Sequence, residues 1–411
     1  MAPRVEAISV DTPAELAVGH DVLRVTTFNV LAPVWTHANV YPSMDMAFFD
    51  PATRRRHQFQ KLLELQSDVV MMQEVQKTEL DLLLDASGGL LREIYDVEFC
   101  AFGPSLWKNW LTEVTDFKPR EIGVAVLTKR SAVEKLRTEK VSLDGDAELP
   151  ENSRGAYASF VWARVPRWNN ATVLIVASHL DMESFFRART QSRQLAEAIR
   201  ETIDRELARS PTAAETVIWG GDFNMEERSP CFKAIERLGF RAVSGSPKIP
   251  SAFTVYWTVR LDHILIYQRD HVQPVETVGT FVPSCPVKGR FSVLPFTSEL
   301  HWLTSACLGY GGALRRALAL CLTPLASVLA CPAAFCALDR KRNCESLRWA
   351  LEHWGSDHLP VTVALRRAAA TEVSDCGNSE PGSPCLKGRS RRRAPSSDSS
   401  ASTSASTSDQ R

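Results

Sequence analysis

Residues 216–227 read TVIWGGDFNMEE. The stretch 216–223 is a short apolar run, the pattern of a strand buried on both faces. Such a run would ordinarily lead on into a core, yet this one ends in Asp222 and Asn224. A carboxylate at the C-terminal edge of a buried strand is well placed to face a shared cleft. The same pattern recurs along the chain. VLRVTTFNV (22–30), DVVMMQEV (68–75), IGVAVLT (122–128), YASFVWARV (157–165), ATVLIVASHL (171–180), LDHILIY (261–267) and WGSDHLPVTVAL (354–365) all have strand character. Between them, 54–66 reads as an amphipathic helix with Phe59, Leu62, Leu63 and Gln66 near one face, and a longer helix is expected over 187–208. Strands alternating with helices predict an α/β layered domain.

The whole chain has 411 residues, 44% hydrophobic and 23% charged, ordinary values for a globular protein. They argue against a chain disordered throughout, a collagen-like repeat or a polytopic membrane protein. The 48 basic residues balance the 48 acidic ones, so net charge gives no vote for nucleic acid or an anionic membrane. Of the ten cysteines, six fall between Cys285 and Cys344. Their spacing suggests neither a zinc site nor a disulfide framework. The N-terminus carries acids early and has no apolar core of a secretory signal. An intracellular setting is the expectation, cytoplasmic or nuclear.

Short polar motifs follow most of the expected strands. They are Asn29 in TTFNVLAPVW, Glu74 in MMQEVQ, His179 in ASHLDMES, Asp222 and Asn224 in WGGDFNMEE, Asp262 in RLDHILIY, and Asp357 with His358 in GSDHLPV. Each has an ordinary reading as a turn or a strand end. Together they supply hard oxygen donors suited to Mg²⁺ or Mn²⁺ and histidines suited to proton exchange near neutral pH. That set suits metal-assisted hydrolysis of a phosphate ester. His263 is expected to be structural, because alternation points it away from Asp262. His37, His57, His301 and His353 read as surface or satisfied core histidines.

The order Asn, Gln-Glu, His, Gly-Asp-x-Asn, Asp, Ser-Asp-His resembles the endonuclease/exonuclease/phosphatase superfamily, with the DNase I-like fold. The resemblance covers about 21–270 and resumes at 354–366. It implies a four-layer α/β sandwich of two mixed sheets flanked by helices. It also implies roles. Glu74 is similar to the main Mg²⁺ ligand, helped by Asn29. Asp222 resembles the residue that activates water, and Asn224 and His179 resemble phosphate contacts. His358 is similar to the catalytic histidine, oriented by Asp262, and Asp357 to a further metal or water ligand. The opening TTFNVLAPVW, with a basic helix at Arg54 to Arg56, looks most like the deadenylase and nocturnin-like branch, which implies an RNA or nucleotide substrate. SHLDMES is also similar to the tyrosyl-DNA phosphodiesterase pattern, whereas Asp262-His263 departs from that of inositol 5-phosphatases. Arg154 and Arg187, with Arg120 and Arg189, are candidate contacts to a phosphate chain.

The domain is thus expected over 21–270 and 354–368, after a leader at 1–20 and with an insertion at 271–353. No charged residue occurs from 317 to 338, long enough to span a bilayer. A single crossing would put Asp262 and His358 on opposite sides and destroy the site. A packed insertion, membrane contact of the sphingomyelinase kind and intronic sequence all stay open. From 369 the chain is rich in Ser, Arg and Pro and reads as a disordered tail. Its RSRRRAP patch at 389–395 resembles a nuclear-import or nucleic-acid-binding segment.

Overall fold

In a strand buried on both faces, odd and even residues enter two different cores. Here Val69 and Met71 pack in one cluster while Val70 and Met72 pack in another. Val173, Ile175 and Ala177 likewise part from Leu174 and Val176. Three stacked cores therefore separate four layers. The computed structural model describes residues 19–38, 40–41, 44–102, 122–143, 157–180, 185–209, 216–244, 249–253, 258–269, 272–286 and 333–368, with only the backbone described at 185–189 and 333–340.

The first sheet is built from β1 (Val22–Asn29), β2 (Val69–Gln76), β3 (Tyr95–Ala101), β4 (Ile122–Lys129), and two strands from much later in the chain, β13 (Val275–Phe281) and β14 (Val361–Arg367). Its order is β13-β14-β1-β2-β4-β3, and only β1 and β2 run parallel. The second sheet holds β5 (Glu134–Ser142), β6 (Tyr157–Val165), β7 (Ala171–His179), β8 (Thr216–Asp222), β9 (Phe240–Ala242) and β12 (Asp262–Gln268). Its order is β5-β6-β7-β8-β12-β9, with β7 and β8 parallel. A two-residue hairpin, β10 (Ala252–Phe253) with β11 (Thr258–Val259), lies between β9 and β12 in the chain.

The helices cover the outer faces. α1 (Pro51–Leu65), α2 (Lys77–Ile94, broken at Ala86–Gly89) and α5 (Ala333–Trp354) pack on the first sheet. α3 (Phe185–Arg209) and α4 (Pro230–Arg237) pack on the second. This is the expected four-layer α/β sandwich with two mixed sheets. At Gly220 the sheets come so close that a Cβ there would lie 2.2 Å from Met71 Cε. A Cβ at Gly221 would meet the Ser178 carbonyl oxygen at 2.2 Å. The Gly-Gly pair before Asp222 thus allows close approach both to Met71 of the first sheet and to Ser178 of β7.

Two expectations are corrected. The segment 271–353 is not wholly outside the domain. Val275–Phe281 is the edge strand of the first sheet, its mostly half-exposed residues giving no strong apolar signal. In α5, Leu347, Ala350, Leu351 and Trp354 form an i, i+3, i+4, i+7 stripe in the same core as Leu62 of α1. The uncharged run 317–338 lies outside the described residues as far as 332. No helix among the described residues is long and apolar enough to cross a membrane. The leader (1–18) and the tail from 369 also lie outside the described residues. In α1 the fully inward positions are Arg54, Gln58, Leu62 and Leu65, with Phe59 and Leu63 half-buried beside them. Gln66 is exposed, because it ends the helix in the left-handed region at φ 47°.

Candidate active site

The inter-sheet core face, followed to the ends of the strands, turns polar. On β8, Ile218 and Gly220 lead to Asp222. On β12, Ile266 and Ile264 lead to Asp262; on β7, Ile175 and Ala177 lead to His179; on β1, Val25 and Thr27 lead to Asn29. Strand pairing sets three of these side by side: His179 is in register with Asp222, and Asp222 with Asp262.

Glu74 arrives by a different route. A regular β2 would send it to the outer face after Val70 and Met72. Instead the β2–β4 register shifts between Met72 and Val75, and Glu74 adopts φ 54°. This bulge is costly for a non-glycine residue and re-aims the side chain. Glu74 Oε2 accepts from the Ala32 N–H at 3.2 Å. The Asn29 Nδ2 donates to Glu74 Oε1 at 2.9 Å and to Asp222 Oδ2 at 3.1 Å. One fully buried amide thus joins the carboxylates of the two sheets. Its Oδ1 is taken by the Leu31 N–H at 2.9 Å. In this geometry Asn29 bridges the two carboxylates with its donor end.

Asp222 also accepts from the Asn224 N–H at 2.9 Å. The Asn224 Nδ2 donates to the Leu180 carbonyl at 2.8 Å, so this side chain ties the ends of β7 and β8 together. His179 Nε2 and His358 Nε2 each lie 3.8 Å from Asp222 Oδ2. His358 Nδ1–H donates to Asp262 Oδ2 at 2.9 Å. That bond fixes the ring and leaves Nε2 facing Asp222. Asp262 is itself held by a serine, since Ser251 Oγ accepts from its N–H at 3.0 Å.

Charge follows the geometry. Burial disfavours an imidazolium at His358, but Asp262, Asp357 and Asp222 outweigh it and hold its pKa well above the usual histidine value. Burial would raise the Asp222 carboxyl, yet His358, His179, the Asn224 N–H and the Asn29 amide hold it below the usual range. Burial pushes the Glu74 carboxyl up, against the pull of His179 and Asn29. The site thus favours the ionised form of Asp222 and the protonated form of His358. His263 lies on the opposite face, packed against Phe223 and Phe232 and bonded to the Met225 carbonyl at 3.1 Å. Burial pushes its pKa down to about 3, so it stays neutral.

Two donor sets converge. Glu74, His179 and Asp222 offer ligand atoms within 4.8 Å of one another, and so do Asp222, Asp262 and His358. In the second set, His358 and Asp262 already satisfy each other. The first, with two carboxylates and an imidazole, fits a divalent cation that prefers oxygen donors. Asp357 lies beside it, its Oδ2 bonded to the Tyr41 hydroxyl at 2.7 Å and its buried Oδ1 without a partner.

Several contributors escaped the sequence reading. Arg54, expected on a basic surface helix, is buried and spans two loops of the site. Its guanidinium donates to the carbonyls of Val30, Leu31 and Gly355. Gln58 adds bonds to Val30 O and Gly355 O, both at 2.9 Å. Gly355 has φ 68°, and a Cβ there would meet the Arg54 carbonyl at 2.5 Å, so only glycine fits. Ser356 Oγ donates to the Asn29 carbonyl at 2.7 Å. Nothing in the sequence flagged Tyr41, whose partner lies 316 residues away, or Ser251, whose hydroxyl serves the N–H groups of Leu261 and Asp262. Arg120, Arg154 and the side chains of Arg187 and Arg189 lie outside the described residues, as does His301. His57 and His353 bond to main-chain carbonyls of α5.

A shared seam of carboxylates and histidines between two mixed sheets defines a class of phosphoester hydrolase. The Endonuclease/Exonuclease/phosphatase family model matches residues 26–358, and the chain belongs to that family. Its members hydrolyse phosphate esters. No curated protein matches the chain in sequence. Among solved structures, the fold is similar to that of ANGEL2, a 2′,3′-cyclic phosphatase, with 13% identity and a TM-score of 0.53 over 84% of this chain and 95% of that one. A family protein of Bacteroides vulgatus gives 13% identity and a TM-score of 0.50 over 84% and 99%. The human nocturnin catalytic domain with bound sulfate gives 14% and 0.48 over 85% and 95%.

Proposed function

We propose that the chain is a divalent-metal-dependent phosphodiesterase that cleaves RNA or another nucleotide with water. The observation that carries this reading is the position of Asp222. Its Oδ2 is bridged through Asn29 to Glu74 on one side and faces the Asp262-held His358 on the other. Glu74, Asp222 and His179 would hold the cation, with Asp357 alongside. Mg²⁺ suits this set and Mn²⁺ could replace it. Once bound, the cation supplies charge to offset the phosphate and lowers the pKa of water. Asp222, ionised and fixed by two hydrogen bonds, takes the proton from the attacking water. His358, held cationic, donates from Nε2 to a phosphoryl oxygen as negative charge builds there. The ester P–O bond breaks as the new one forms, and the leaving oxygen takes up a proton from solvent water. Asn224 and Arg154 and Arg187 are assigned to the phosphate chain.

The substrate class rests on the TTFNVLAPVW opening and its similarity to the deadenylase and nocturnin-like branch. Purified protein is tested in Mg²⁺ and in EDTA against poly(A), mixed RNA, single-stranded DNA, NADP(H), sphingomyelin and an inositol polyphosphate. Cleavage of RNA or a nucleotide, lost in EDTA and in Asp222→Ala, is expected. Turnover of sphingomyelin alone would replace the substrate reading, and turnover of nothing would end the enzymatic one.

A further inference from the structure

Tyr41 is buried, and its ring lies 4.5 Å from that of Phe49 within the apolar core under α1 and α5. A phenylalanine would fill that space equally well. A buried hydroxyl is unfavourable unless it is hydrogen-bonded, and this one has one partner among the described residues, Asp357 Oδ2 at 2.7 Å. The bond occupies one carboxylate oxygen and leaves the other, Oδ1, buried and unpartnered. Asp357 is 8% exposed. Its charge is felt by Glu74, His358 and Arg54. Tyr41 is anchored in turn, its N–H bonded to the His37 carbonyl at 3.0 Å.

We infer that Tyr41 is a positioning residue for the metal site: its phenol locks the Asp357 carboxylate so that Oδ1 alone is presented to the cation or to its water. An outer hydrogen bond of this kind fixes the orientation of a buried carboxylate. Tyr41 touches no reacting atom and acts through Asp357. The inference rests on the metal-dependent reading above, so its test separates the two.

Mn²⁺ is titrated into the full-length protein and the free ion is counted by electron paramagnetic resonance, with Tm followed in parallel. The set is wild type, Tyr41→Phe, Asp357→Asn, the double variant and Glu74→Gln. Tyr41→Phe keeps a folded protein and weakens Mn²⁺ binding about tenfold, within the range for outer hydrogen-bond partners of metal ligands. In the Asp357→Asn background the same change has no further effect on binding, because the carboxylate it serves is gone. Binding by Tyr41→Phe at wild-type strength, or an equal loss in both backgrounds, overturns the inference and makes Tyr41 a packing residue. Wild type that holds no Mn²⁺, or Glu74→Gln that holds it equally well, overturns the metal reading itself.

Discussion

The two banks of the active-site seam are built on different principles. On the second sheet, His179, Asp222 and Asp262 are neighbours because three strands are hydrogen-bonded in register. The ladder that holds the sheet also aligns the chemistry. On the first sheet, Glu74 needs a bulge at positive φ. The loops around it, 30–32 and 355–358, are joined by Arg54, Gln58, Ser356 and Tyr41. One bank is aligned by repetition, the other by single side chains that each span a long stretch of sequence. The laddered bank should therefore tolerate loss of a supporting polar group better than the stapled bank does.

The strongest test strikes the residue that both banks share. Asp222→Ala should lower turnover about 10⁴-fold with the circular dichroism spectrum unchanged. Turnover within tenfold of wild type would remove Asp222 from its role. Next, Asp262→Asn should lower kcat about 100-fold. The lost carboxylate no longer supports the His358 imidazolium, so the His358 pKa falls. The basic limb of the pH–rate profile then moves to lower pH. A limb that stays put would detach His358 from that limb.

The comparison between banks is sharpest in stability. Arg54→Leu leaves the buried Leu31 carbonyl without its donor, strips one of two donors from the Val30 and Gly355 carbonyls, and should cost about 3 kcal/mol in urea unfolding. Ser251→Ala removes the acceptor of the Leu261 and Asp262 N–H groups and should cost only about 1 kcal/mol, because the ladder still holds Asp262. Equal costs would dissolve the distinction between the two banks. The exposed Arg56, on the same helix as Arg54, should give within about 0.5 kcal/mol of wild type on replacement by alanine.

The same contrast explains what the sequence could tell. Alternation in TVIWGGDF and ATVLIVASHL reports which face each residue takes, so the laddered bank and the opposite placement of His263 are legible. The bulge is not, because nothing local in MMQEV says that Glu74 leaves the period. Arg54 misleads for a similar reason. Three consecutive arginines look like a solvated face, and only the fold shows that the first meets carbonyls from residues 30, 31 and 355. Val275–Phe281 is an edge strand too weakly patterned to stand out. Tyr41 bonds to a partner that sequence distance hides, and Ser251 serves main-chain N–H groups, which leave no side-chain pattern to read.

β14 has a consequence for synthesis. It is not appended to an edge; it lies between β13 and β1, with Thr362 bonded to Thr26 at 2.7 Å. Among the described residues, the first strand made thus waits for the last. A growing chain on the ribosome can stack much of the second sheet early, but the first sheet has a gap until residues 361–367 emerge. His358 and Asp357 arrive only just before them. Such long-range closure slows folding. It also means that no nascent fragment carries the complete seam, so hydrolytic competence is acquired only when translation of the domain is nearly over.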